Sequence, residues 1–235
     1  MLRCSRGLRQ TTTGATSLDE VATATVGYLY SQFADPETKE PQCALIRFYR
    51  TAAYRDLEPD LKEFARAKLG GKDPDPATKI LALVATVGSE PQWCDRRRSV
   101  DHQAIPLPSV EIVEQAPMIA ELIRALGLDI ADVVSPPIAM LHDVEGKNYS
   151  VFHVENALGS PFIPAQKDFV EEYGIKSVIG FGGLLPTGDL FAIVLFSRVH
   201  VPPEPASRFR SVALDVRAIL HPFALPSSVQ AILPD

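Results

Sequence analysis

The sequence predicts an α+β fold built on a central antiparallel sheet, and three stretches carry that reading. Residues 174–201 hold two apolar, β-rich runs on either side of Pro186-Thr187-Gly188-Asp189. Pro presets φ and Gly supplies the positive φ of a tight reversal, so these four residues read as the turn of a hairpin. Pro202 and Pro203 then stop the strand, and Phe209, Val212, Ala213, Val216, Ile219 and Leu220 recur as one apolar helical stripe. Near the other end of the chain, Ser17-Leu18-Asp19-Glu20 has the form of a capping box. It stands ahead of Leu18, Val21, Ala22, Val26, Leu29 and Phe33 at helical spacing.

Taken in order, the first sixteen residues carry Arg3, Arg6 and Arg9, several Ser and Thr, and no acid. They have neither an apolar signal core nor a marked amphipathic pattern, and a disordered tail is expected. The capped helix follows and ends at Pro36. Cys43 to Thr51 reads as a strand rich in aliphatic and aromatic residues. Residues 54–78 read as an insertion at the turn between two strands. Within them Leu57, Leu61, Phe64, Ala65 and Leu69 line a short helix that Gly70-Gly71 stops. Lys79 to Val87 is the second strand, and its continuous apolarity implies burial on both faces.

Residues 88–109 are irregular, with Trp93, three consecutive arginines and His102. A helix starting near Pro117 turns Met118, Ile119, Leu122, Ile123 and Leu126 inward and stops at Gly127. Residues 130–141 are apolar but broken by Pro136-Pro137. Asn148 to Val154 is a strand bearing His153, 159–164 a loop, and Ala165 to Tyr173 a short helix closed by Gly174. The expected organisation is one domain over 17–222, enlarged at 88–145, with a C-terminal tail from 223.

Bulk properties exclude several classes. The 235 residues have a formal net charge of -6, with 46% hydrophobic and 22% charged residues. A mildly acidic chain has no general attraction for nucleic acid or anionic lipid. No apolar run reaches the roughly 20 residues that span a bilayer. Cys4, Cys43 and Cys94 show no CxxC spacing, which argues against a disulfide framework and for a reducing, cytoplasmic setting.

The order of elements resembles that of GAF domains. The likeness rests on Tyr173 to Ile179, with its Gly-Ile-x-Ser entry into a strand, on Gly188 to Val194 after the turn, and on the closing helix with Phe209, Leu214 and Ile219. It is good over 148–221, fair over 17–53 and 79–87, and poor over 88–145. The resemblance implies an antiparallel sheet with the two terminal helices packed together on one face. It also implies a sensory small-molecule-binding module of bacterial signalling proteins. Such a module would form a homodimer through helices 18–33 and 203–220 and act on a signalling output protein.

In that arrangement a ligand sits between the sheet and the variable connections. Trp93 would wall the pocket, and Arg96, Arg97, Arg98 and His102 would meet an anionic group, since the guanidinium fork suits carboxylate and phosphate. The plain alternative is a solvated loop whose arginines face water. Gly180, Gly182 and Gly183 precede no helix, so they are no phosphate loop. They mark a bulge or tight packing that still allows Phe181 and Gly182 to line a pocket floor. His153, with His142-Asp143 nearby, is placed to ligate haem or a metal, but no two histidines have ligand spacing, which favours a structural role. Some GAF-fold proteins reduce methionine sulfoxide with cysteines or attach bilins through one; Cys43 and Cys94 match neither pattern and read as ordinary thiols. No cofactor is indicated. The expected function is a ligand-binding regulatory module. The rivals are a thiol-dependent reductase on the same fold and a ligand-free interaction scaffold.

Overall fold

The computed structural model describes residues 2–136 and 150–224. Expectations placed on 137–149, including His142-Asp143 and the start of the strand at Asn148, lie outside the described residues, as does the tail from 225.

Six strands, β1 (Cys43–Ala53), β2 (Lys79–Gly88), β3 (Ala104–Leu107), β4 (Phe152–Val154), β5 (Ser177–Leu184) and β6 (Leu190–Ser197), form the sheet. Their order is β3-β2-β1-β6-β5-β4, and each neighbouring pair is antiparallel. The fold is therefore α+β, as the hairpin implied. That hairpin pairs Leu184 with Leu190, and the turn closes through Gly188 N–H to the Leu185 carbonyl at 2.9 Å, with Gly188 at φ 79°.

Both faces of the sheet are covered. One face carries Ile46, Phe48, Phe181, Phe191, Ile193 and Leu195. It packs on α2 (Leu18–Gln32) and α8 (Phe209–Leu220), through Val21, Val26, Leu29, Phe209, Val212 and Val216. The first and last helices of the expected domain thus lie together on one face, the GAF-like arrangement. The opposite face carries Leu45, Tyr49, Leu83, Ala192 and Val194. Trp93, α4 (Val110–Glu114), α5 (Pro117–Ala125) and α6 (Ile130–Val134) cover it. With helices on both sides, every residue of β5 and β6 is buried, which is why those runs are apolar throughout. Each large side chain so removed from water contributes about 1.5–3 kcal/mol.

Local chemistry explains the helix ends. Ser17 Oγ accepts from Glu20 N–H at 3.2 Å, and the Glu20 carboxylate turns back to accept from Thr16 N–H at 2.7 Å. The 54–78 excursion contains α3 (Pro59–Lys68), and Gly70 and Gly71 follow it at positive φ. Gln166 to Glu171 form a π-helical turn where a short helix was expected, and Gln166 Nε2 donates to the Ile163 carbonyl at 2.7 Å, bracing the preceding loop.

Three differences from expectation have physical reasons. The N-terminal stretch, read as a disordered tail, forms α1 (Leu2–Thr11). Leu8 is wholly buried against α2 and α8, and Gly7 lies so close to the Tyr28 ring that a Cβ there would meet its Oη at 2.0 Å. The expected irregular 88–109 segment contains β3, hidden by its length of four and by Pro106, which sits opposite Ile80 on an edge where its missing N–H costs no ladder bond. The closing helix is split, α7 (Pro203–Ser207) preceding α8.

Candidate functional site

The residues expected to form a pocket do not converge. Trp93 is buried in an aromatic group, its ring 4.5 Å from Tyr173 and 5.8 Å from Phe169, so it is core and not a pocket wall. Arg96 donates to Asp60 at 2.9 Å and also pairs with Glu58. Arg97 approaches the same Asp60 at 3.6 Å. Two of the three arginines therefore fasten the 88–109 segment to the start of α3, while Arg98 is exposed. Phe181 is buried on the α8 side, 5.2 Å from Phe209. Gly182 belongs to the opposite face, and a Cβ there would meet the Phe191 carbonyl at 2.1 Å. At Gly180 it would meet Leu122 of α5 at 2.5 Å. Tight packing accounts for both glycines.

His153 makes its Nε2 hydrogen bond with the Val201 carbonyl at 2.8 Å, joining β4 to the lead-in of α7. No group of three or more metal-ligating side chains gathers among the described residues. Cys43 is buried and its Sγ–H points to the Phe196 carbonyl at 3.2 Å. Burial pushes its thiol up to about 12, so the thiolate is scarce at neutral pH.

Two surface depressions stand out. The larger, about 610 Å³, lies on the helix face between α2, α7 and α8 and is lined by Cys4, Tyr28, Phe33, Arg208, Phe209 and Val212. The smaller, about 450 Å³, is bordered by Leu158, Val170, Lys176 and His200. None of the sequence candidates borders either one.

The polar feature that stands out is one the motifs did not single out. Arg47 lies at the middle of β1, in the centre of the sheet, on the face shared with Leu45 and Tyr49. Its Nη1 donates to Tyr49 Oη at 3.3 Å and its Nη2 to the buried Ser99 Oγ at 3.1 Å. Both partners are neutral. Among the described residues, no carboxylate forms an ion pair with it. Its buried Nε makes no hydrogen bond among the described residues, and neither does Oγ1 of Thr86, the residue registered opposite Arg47 on β2. Thr86 is only 9% exposed. Between Arg47-Thr86 and Tyr49-Leu83 the register slips by one residue at Val84. Without that bulge, Thr86 would fall on the other face of the sheet from Leu81 and Leu83.

The field of this niche reaches His102. His102 is an exposed residue, yet crowding by the chain around it, and then the Arg47 charge, hold its protonation down to about 4. Of the expected cationic cluster, His102 is the one whose protonation responds to the Arg47 charge. The sequence signal that could have found this niche is the alternation Leu45-Arg47-Tyr49, which places a guanidinium on an otherwise apolar face.

No family model matches the chain, and no curated protein does. Among solved structures it is similar to the GAF domain of an Acinetobacter phosphoenolpyruvate-protein phosphotransferase. There the identity is 12% and the TM-score 0.43, over 93% of this chain and 91% of that one. It is also similar to the phycocyanobilin-bound GAF domain of a cyanobacterial phytochrome, at 10% identity and a TM-score of 0.43 over 94% of each chain. A phycoerythrobilin-bound GAF domain of a cyanobacterial phytochrome gives 12% and 0.41, over 93% of this chain and 91% of that one. The GAF-like character of the fold rests on its own sheet and helix arrangement. Among the described residues, no helix is long and apolar enough to cross a membrane.

Proposed function

We propose that the chain is a regulatory domain that binds a small molecule on the sheet face covered by 88–136 and passes the event to a partner through its terminal helices. One observation carries this reading: two polar atoms, Arg47 Nε and Thr86 Oγ1, are buried at the centre of the sheet without a hydrogen-bond partner among the described residues. Leaving such groups unsatisfied costs about 1–3 kcal/mol each, a cost that an arriving ligand would recover. Arg47 belongs to β1, whose Ile46 and Phe48 face α2 and α8. A ligand on one face therefore acts on the same strand that the helices grip from the other.

Dimerisation through 18–33 and 203–220 belongs to the same proposal. Leu214 of α8 is 49% exposed and is available to such a contact, while α1 already covers part of the surface. Native mass spectrometry of the full chain, purified from its own host, tests the reading. A retained small molecule is expected in the wild type and lost on Arg47→Met. A preparation that is ligand-free and gains nothing from host metabolite extract would overturn it.

A further inference from the structure

We infer that the ligand of the Arg47 niche carries a single carboxylate, held by the Arg47 guanidinium and the Thr86 hydroxyl. This rests on the reading of the chain as a small-molecule-binding domain and specifies what the niche receives. A guanidinium is permanently charged and has five N–H donors. Arg47 spends two of them on neutral hydroxyl oxygens, Tyr49 Oη and Ser99 Oγ. Its Nε–H is unused, and Nη2 keeps a second hydrogen after Ser99 is served. Nε and Nη2 form one edge of the planar fork, the edge that matches the two oxygens of a carboxylate.

Thr86 supplies the third contact. Its hydroxyl is an unused donor on the neighbouring strand, on the same face and in register with Arg47. Three donors meet one planar anion. Charge argues for a monoanion over a phosphate. Among the described residues Arg47 forms no ion pair with a carboxylate. The one positive charge of the half-buried Arg47 balances one negative charge, and a dianion would be left half compensated there. A lone water would satisfy Nε and Thr86 but leave the guanidinium charge unbalanced.

The test is thermal unfolding of the full chain titrated with sodium acetate, sodium benzoate and sodium phosphate, with chloride holding ionic strength constant. The wild type is expected to show a saturable rise in Tm with a carboxylate and none with phosphate. Arg47→Met should abolish the rise, and Thr86→Val should raise the apparent Kd about tenfold, the effect of losing a hydrogen bond to a charged group. If Arg47→Met fails to fold, Arg47→Lys keeps the charge without the fork and should weaken binding at least tenfold. A response to phosphate alone, or an equal response in Thr86→Val and Arg47→Lys, overturns the carboxylate assignment. Retention of a neutral molecule in native mass spectra, with indifference to every anion, also overturns it but leaves the binding reading standing. No retained molecule and no response to any anion overturns both.

Discussion

Arg96 donates to Asp60 across 36 positions of sequence at 2.9 Å, and the same guanidinium holds Glu58 at the start of α3. The Arg96 side chain is 12% exposed and that of Asp60 37%, so the pair is only partly screened. Burial works against the Asp60 charge, but Arg96 overcomes it and holds the carboxyl below its ordinary 3.8. A depressed carboxyl contributes stability that is present above its unfolded value and disappears as pH falls through its folded one. Arg96→Met is therefore expected to cost about 1 kcal/mol at pH 7, with the gap to wild type closing below about pH 4. Urea melts of both proteins from pH 7 to pH 3 would show it. A gap that stays constant over that range sinks the ion-pair account.

Gly182 and Gly27 make opposite demands. A Cβ at Gly182 would stand 2.1 Å from the Phe191 carbonyl and 2.9 Å from the Ala192 Cα, both backbone atoms of β6 that cannot swing aside. Gly182→Ala is expected to cost about 3 kcal/mol or to prevent folding. Gly27 lies inside α2 with nothing within 4 Å of its would-be Cβ, so Gly27→Ala should gain about 1 kcal/mol from helix propensity. Chemical denaturation of the two variants decides this, and a neutral Gly182→Ala would mean that β5 and β6 do not approach so closely.

How much of this was legible beforehand depended on how local each signal was. The hairpin around Gly188, the Ser17 cap and the Phe209-Val212-Val216 stripe are readable because turn chemistry and periodicity act over a few residues. The α1 helix was not, since Leu8 gains its burial from α2 and α8, which periodicity in 2–11 alone does not reveal. β3 was masked by Pro106, whose tolerance at an edge depends on which strand has a neighbour. The arginine triplet reads as charge, yet Asp60 and Glu58, which pair with Arg96 and Arg97, lie in what reads as a separate insertion. Arg47 carries no signal of its own in the sequence, because a single charged residue in a strand is common. Its meaning appears only when β2 brings Thr86 opposite and the 88–109 segment closes Ser99 over it.

The cysteines give a kinetic prediction that bears on the thiol-reductase alternative. Cys43 is wholly buried with its pKa raised to about 12, whereas Cys94 is exposed. At pH 8, iodoacetamide should label Cys94 at least a hundredfold faster than Cys43, since the thiolate is the nucleophile and access is required. Intact-mass time courses of Cys4→Ser and of Cys4→Ser/Cys94→Ser, which remove the half-exposed third thiol, read the two rates separately. Rapid labelling of Cys43 in the folded Cys4→Ser/Cys94→Ser protein would contradict its burial and reopen redox chemistry at the start of β1.

The docking of α1 decides what the terminal-helix face offers a partner. Leu8 is 0% exposed, Ser5 donates to Asp215 of α8, and Arg9 stands 3.9 Å from the other oxygen of that carboxylate. The ion pair is solvent-exposed on the arginine side and contributes little, so the leucine dominates the attachment. Removing its buried methyl groups and leaving a cavity should cost about 3 kcal/mol if α1 melts together with the sheet. If α1 instead opens by itself, global stability barely changes in Leu8→Ala while amide exchange in 2–11 accelerates, and α1 becomes a detachable cover over the α2–α8 surface. Denaturant melts combined with hydrogen exchange separate the two. We expect the first result, because Gly7 against Tyr28 and Leu8 in the shared core make α1 continuous with the packing that β1 and β6 present to the helices. Unchanged stability together with unchanged exchange would show that α1 is not held by Leu8 at all.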